Sequence, residues 1–164
     1  MKTLLIVFHS RTGGARQMAQ ACAEAARTAA AEVAVRLVEA TEAVSADLLE
    51  ASAYVFACPE NLATVSGEMK AFFDRTYYDG LDQLNGRPYA LMVCAGSDGE
   101  GAVRQMSRIA LGWRLRQAAE PLIICTHAQT PEAIWAPKTI PEADLALCRE
   151  MGAGLAAGLE LGVF

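Results

Sequence analysis

The chain alternates between two patterns of apolar residues. Short runs that are apolar at successive positions stand at Thr3–Phe8, Ala53–Cys58, Tyr89–Cys94 and Pro121–Cys125, while Val33–Leu37 alternates apolar with mixed positions. Between them lie stretches whose apolar residues recur every three or four positions, the spacing of one helix face. Met18, Cys22, Ala25, Ala26 and Ala29 predict a helix over about Gly14–Ala31. Met69, Phe72, Phe73 and Tyr77 predict one over Ser66–Tyr77. Further helices are expected near Ser45–Leu49, over Ala102–Ala118 and, on a stripe of Leu145, Cys148, Gly152, Leu155 and Leu159, over Pro141–Leu161. Pro59 is expected to stop the third strand, Asn85-Gly86-Arg87-Pro88 is a turn leading into the fourth, and residues 126–140 read as a long ordered loop.

Strands that are apolar on consecutive residues are covered on both faces. Together with the alternating Val33–Leu37 they make five strands, each with a helix, and predict an α/β fold: a three-layer, doubly wound, five-stranded parallel sheet with right-handed crossovers. At 164 residues, without repeats or linkers, residues 1–164 read as a single domain.

Composition narrows the function classes. A net charge of −5 with no basic run argues against nucleic acid as a partner. The five cysteines (Cys22, Cys58, Cys94, Cys125, Cys148) show no paired or metal-ligand spacing and read as reduced, small hydrophobes, so a cytoplasmic location is expected. The opening Leu4–Phe8 run is too short for a signal peptide, and no window reaches membrane-spanning length, so no membrane partner is expected. His9 and His127 belong to no zinc or triad signature; His9 reads as structural, and His127, Gln129 and Trp135 are candidates for a substrate side. Trp113 reads as core or interface, Glu39, Glu42 and Asp47 as solvated, and Gly152, Gly154 and Gly158 as marks of a close helix contact. A homodimer or tetramer is the open expectation for assembly.

Three loops leave the carboxyl ends of the first, third and fourth strands, where open α/β sheets bind ligands. The first holds Ser10, Arg11, Thr12, Gly13, Gly14 and Ala15. It brings hydroxyls, Cβ-free backbone and a helix N-terminus together, which suits a phosphate. The second runs from Pro59 through Glu60, Asn61, Leu62 and Ala63 to a capping Ser66, and is longer than a usual strand-to-helix connection. The third holds Ala95, Gly96, Ser97 and Gly99 in a glycine-rich turn.

The Ser10-x-Thr12-Gly13 loop, the Pro59…Ser66-Gly67-Glu68-Met69-Lys70-Ala71-Phe72-Phe73-Asp74-Arg75 stretch and the Leu84-Asn85-Gly86-Arg87-Pro88 lead resemble the flavodoxin-like superfamily of FMN proteins over about residues 1–125. The second of these is typical of its NAD(P)H:quinone oxidoreductase and FMN-reductase branch. The resemblance implies strand order 2-1-3-4-5, with Ser10–Ala15 on the FMN phosphate and Pro59–Ala63 and Ala95–Gly99 flanking the flavin ring. Ala15 departs from the pattern, since flavodoxins proper carry a further Thr there. Neither ring-flanking loop holds an aromatic residue, which implies an open flavin face that admits a nicotinamide or a small acceptor such as a quinone. The expected function is therefore an FMN-dependent NAD(P)H oxidoreductase with no catalytic side chain of its own. The alternatives are an electron-transfer flavodoxin and a regulatory domain that has kept the fold and lost the flavin.

Overall fold

A computed structural model describes residues 1–164. Strands β1 (Lys2–Phe8), β2 (Val33–Glu39), β3 (Ala53–Asn61), β4 (Thr64–Val65), β5 (Pro88–Ala95), β6 (Arg116–Gln117) and β7 (Leu122–Cys125) form one sheet. The order is β2-β1-β3-β5, and both β6 and β7 then pair along the far edge of β5. The fifth sheet position foreseen from sequence is thus filled by two short strands. All pairs are parallel except β3 with β4.

Side chains on successive strand residues feed opposite layers. Leu4, Ile6 and Phe8 face helices α1 (Gly14–Ala29) and α6 (Glu142–Leu161), whereas Leu5, Val7, Tyr54 and Phe56 face α2 (Ser45–Glu50), α3 (Gly67–Gly80) and α4 (Glu100–Gly112). On the second face the rings of Phe56, Phe73 and Trp113 form an edge-to-face series with centroids 5.1 and 5.7 Å apart, so Trp113 belongs to the core. Tyr77, expected on the buried face of α3, is nearly half exposed; Thr76 takes its place inside, and the Tyr77 carbonyl accepts a bond from the Trp113 indole N–H at 3.3 Å. Because α6 and the sheet both press on α1, that helix buries a wider face than its spacing suggests, taking in Ala19, Ala21 and Ala23 and leaving Ala29 outside.

Several boundaries differ from the sequence reading, each for a local reason. Helix α4 stops at Gly112, because Arg114 takes a left-handed φ of 56° and the chain turns back to lay β6 beside β5. Residues 126–140 are not wholly loop: α5 (Pro131–Trp135) forms a short helix, with Pro131 in its first turn and the Thr130 hydroxyl accepting from the Ala133 N–H. Pro59 does not end β3. It pairs opposite Cys94, and the strand runs on to Asn61 before a two-residue reversal through Leu62 and Ala63 into β4. Both reversal residues have positive φ (51° and 64°), as two-residue hairpins matched to strand twist require. For residues with a Cβ this costs about 1–2 kcal/mol each.

Asp47 is buried rather than solvated. Its carboxylate pairs with Arg36 and accepts from the Val44 N–H at 3.0 Å, while Glu39 pairs with Arg16 at 2.5 Å. The α6 glycines divide. A Cβ on Gly152 would overlap the Cys22 backbone carbonyl of α1, one on Gly158 would strike the Phe164 ring, and Gly154 faces open space. The close helix contact is therefore made within the chain at Gly152.

Candidate functional site

The carboxyl ends of β1, β3 and β5 meet beside the switch point of the sheet, and a cleft opens there with two adjoining lobes. The larger, about 460 Å³, lies between the β3–β4 hairpin and the loop after β5, lined among others by Pro59, Asn61, Leu62, Ala95 and Gly96. The smaller, about 300 Å³, opens onto the loop after β1, where Ser10, Arg11, Thr12, Gly14 and Ala15 form its wall. Thr12, Pro59, Asn61, Cys94 and Ile134 border both. Both volumes fall within the range of small-molecule sites.

The first loop is built to leave donors free. Gly13 is the residue before α1, with φ 95°, and no side chain caps the helix. Ser10 Oγ accepts from the Gly13 N–H at 3.1 Å and sets the turn. The N–H groups of Gly14, Ala15 and Arg16 have no carbonyl one turn back within the helix. Gly14 must lack a side chain, since a Cβ would come within 2.5 Å of Cys94 Sγ.

The N-terminus of α4 opens towards the same loops but is already filled by the chain. Glu60 accepts from the Gly99 N–H at 2.9 Å through Oε1 and from the Ala102 N–H at 3.1 Å through Oε2. The hairpin is seated further by Gln105 Oε1, which accepts from the Val65 N–H at 2.7 Å, and by Gly101, where a Cβ would run into the Ala63 carbonyl. The two loops around the larger lobe are thus one braced unit. The contrast is electrostatic: one positive helix end carries a carboxylate, and the other, on α1, is open to an anion.

His9 Nδ1 and Ser66 Oγ are hydrogen-bonded at 2.8 Å, so Ser66 stands before α3 without capping it through its side chain. Burial pushes the His9 pKa below the ordinary histidine value; Glu68 and Glu39 pull it back, and Arg11 adds to the depression. Burial likewise raises four thiols, to about 11 at Cys58 and Cys94 and about 12 at Cys22 and Cys148, and all five cysteines are unpaired. None of these four raised thiols is a ready nucleophile at neutral pH. No group of acidic, histidine or cysteine side chains is placed to hold a metal.

Of the residues singled out from sequence, Ser10, Arg11, Thr12, Gly14, Ala15, Pro59, Glu60, Asn61, Leu62, Ala95 and Gly96 line the cleft, while Gly13, Ala63, Ser97 and Gly99 shape its loops from outside the walls. Trp135 lines it as foreseen, but His127 and Gln129 do not; Thr126 and Ala128 stand there instead. Cys94, Ile134 and Lys138 were missed. An apolar strand end and a proline-spaced segment carry no signal of a ligand until the fold sets them opposite the first loop.

This architecture and cleft define a flavodoxin-like α/β protein. Solved structures agree on the fold: a flavodoxin from the domain Archaea superposes with TM-score 0.77 at 17% identity, covering 96% of this chain and 99% of that one. The Streptococcus pneumonia TIGR4 flavodoxin gives 0.73 at 22% identity, covering 94% and 98%. The profile of the NADPH-dependent FMN reductase family matches residues 1–124, and the chain belongs to that family of FMN-binding flavoproteins. Among its relatives are a flavodoxin of Aquifex aeolicus, 34% identical over 101 residues (62% of this chain, 52% of the relative), and an NAD(P)H dehydrogenase (quinone) of Archaeoglobus fulgidus, 31% identical over 101 residues (46% and 52%). The chain spans about half the length of these curated relatives. No helix is long and apolar enough to cross a membrane.

Proposed function

We propose that the protein is an FMN-dependent oxidoreductase that takes electrons from NAD(P)H and reduces a quinone or similar small acceptor. The open N-terminus of α1, with Ser10, Thr12 and the Gly13-Gly14 backbone around it, fits the FMN phosphate, and Arg11 adds a cation at its edge. Pro59, Glu60, Asn61 and Leu62 on one side and Ala95 and Gly96 on the other then flank the flavin ring. Bound there, FMN supplies the two-electron chemistry; the chain orients it and excludes water.

The observation that carries an enzyme reading is the larger lobe. Its hairpin and its glycine-rich loop present no aromatic side chain, so a ring held between them keeps a face open to a second planar molecule. The likeness to an NAD(P)H dehydrogenase (quinone) supports the same direction. Anaerobic mixing of FMN-loaded protein with NADH or NADPH is expected to bleach the flavin absorbance, and a benzoquinone is expected to restore it.

The likeness to a flavodoxin favours electron transfer as a second reading. That reading predicts a flavin inert to both nicotinamides and reduced by dithionite in two separate one-electron waves.

A further inference from the structure

Resting on the reading that the cleft holds FMN, we propose that the segment 126–140 is a strap that retains the cofactor. In this arrangement Gln17 is the positioning residue that latches it, and Ile134 and Trp135 are its contact residues. The family profile ends at residue 124, yet Thr126, Ala128, Ile134, Trp135 and Lys138 all stand in the cleft walls. The strap therefore adds walls to the cleft from outside the stretch that the family profile matches.

The latch is one amide with three bonds. Gln17 Nε2 donates to the Gly13 carbonyl at 2.9 Å and to the Lys138 carbonyl at 2.7 Å, and Gln17 Oε1 accepts from the Ile140 N–H at 3.1 Å. The Lys138 N–H donates to the Thr12 carbonyl at 2.7 Å. The strap is thus tied directly to the two residues that open the first loop onto α1. Lys138 also braces α5, its ammonium donating to the carbonyls of Ile134 at 2.9 Å and Ala136 at 2.6 Å. At the other end the Thr126 and His127 N–H groups donate to the carbonyls of Ala95 (2.9 Å) and Gly96 (2.8 Å), the loop after β5. Both anchors of the strap are therefore on loops proposed to hold FMN.

Between the anchors the strap gains nothing from the core. Helix α5 buries no residue, and its two large apolar side chains are 54% (Ile134) and 69% (Trp135) exposed while lining the cleft. Arg11, on the first loop, lies over the Trp135 ring at 5.8 Å and ties loop to strap a second time. A firmly anchored segment that directs an isoleucine and a tryptophan into a cleft has its packing partner in whatever fills that cleft. Here that partner is the cofactor, with Ile134 at the border of both lobes and Trp135 against the smaller one, so the ring face in the larger lobe stays open.

The test compares full-length wild type with Gln17→Met, which keeps the bulk of the side chain and removes all three bonds, and with the surface pair Ile134→Ser and Trp135→Ser, which removes no core residue. FMN binding is read from quenching of flavin fluorescence, and dissociation from release into excess riboflavin-binding protein. Each variant is expected to weaken FMN about tenfold, mainly through faster release, and the combined variant is expected to be little worse than either, because latch and contact act through one segment. Amide exchange across 131–137 should slow when FMN binds wild type and stay fast in Gln17→Met, while β1, β3 and β5 exchange alike in both. Equal FMN release from all the proteins, or exchange at 131–137 indifferent to FMN in wild type, overturns the strap while leaving the cleft reading intact. Failure of wild type to take up FMN overturns both.

Discussion

Gly14 is kept a glycine by a thiol on another element. A methyl group there would sit 2.5 Å from Cys94 Sγ and 3.6 Å from both Cys94 Cβ and Ile140 Cδ1. Gly14→Ala is therefore expected to destabilise the fold by about 1–3 kcal/mol as an overpacking change. Adding Cys94→Ala should recover most of that, because only the sulfur blocks the site. Urea unfolding of the four proteins of this cycle measures the coupling; additive losses would show that Cys94 is not the obstacle. His9 gives a second expectation at this scale. Its folded pKa lies below the ordinary value of 6.5, so the unfolded chain binds the proton more readily. The stability it supports is complete above pH 6.5 and is lost as pH falls through that value towards the folded pKa. His9→Gln should flatten that part of the urea-midpoint profile between pH 7.5 and 5, and an unchanged slope would refute it. Neither role was legible in the sequence. The Ser-x-Thr-Gly-Gly pattern shows that a loop wants backbone room, but only the fold says that Cys94 takes the space beside Gly14 and Ser66 the bond to His9.

Elements were legible where the apolar pattern is long, either continuous along a strand or striped along one helix face. The runs at β1, β3 and β5 gave their strands because burial on both faces admits no polar residue, and α6 was readable from its stripe. The failures sit where tertiary contacts decide. Nothing near Pro59 says that β3 will continue into a hairpin, since the seat for that hairpin is Gly101, Gln105 and the α4 amides held by Glu60. The α6 glycines show the same limit and a test of it. In an exposed helix Gly→Ala gains up to about 1 kcal/mol. Gly154 faces open space, so Gly154→Ala should raise stability by about 0.5–1 kcal/mol. A Cβ on Gly152 meets the Cys22 carbonyl carbon at 2.8 Å and its sulfur at 2.9 Å, so Gly152→Ala must push α6 off α1. It is expected to lose at least about 1–3 kcal/mol, or several degrees of Tm for a chain of this size. Calorimetry of the two variants should move in opposite directions; movement in the same direction would mean that helix propensity, not the α1 contact, governs this face.

At the scale of the whole molecule, the sheet order brings three loops to one edge and the charge pattern sorts their roles. Glu60 closes the positive end of α4 with the chain's own carboxylate, and the end of α1 is left for an anion from outside. A ligand gripped there stabilises the folded state alone, so its affinity can be read from melting. At free FMN one hundred times its dissociation constant the gain is about 2.7 kcal/mol. For a domain of this size that corresponds to a rise in Tm of about 5–11 °C. Ser10→Ala with Thr12→Val should weaken FMN by about 2–3 kcal/mol, from lost bonds to a charged group. At the same FMN concentration the double variant would then gain only about 0.3–0.9 kcal/mol, or about 1–3 °C. Riboflavin, which has the ring and no phosphate, separates the ends of the cleft. Its smaller shift should be nearly the same in both proteins, because Ser10 borders only the smaller lobe and Thr12→Val, at the border of both, keeps the shape of the side chain. Equal FMN shifts in wild type and variant would show that the α1 loop does not hold the phosphate. A riboflavin shift that fell with the variant would show that the two lobes do not divide the cofactor between anion and ring.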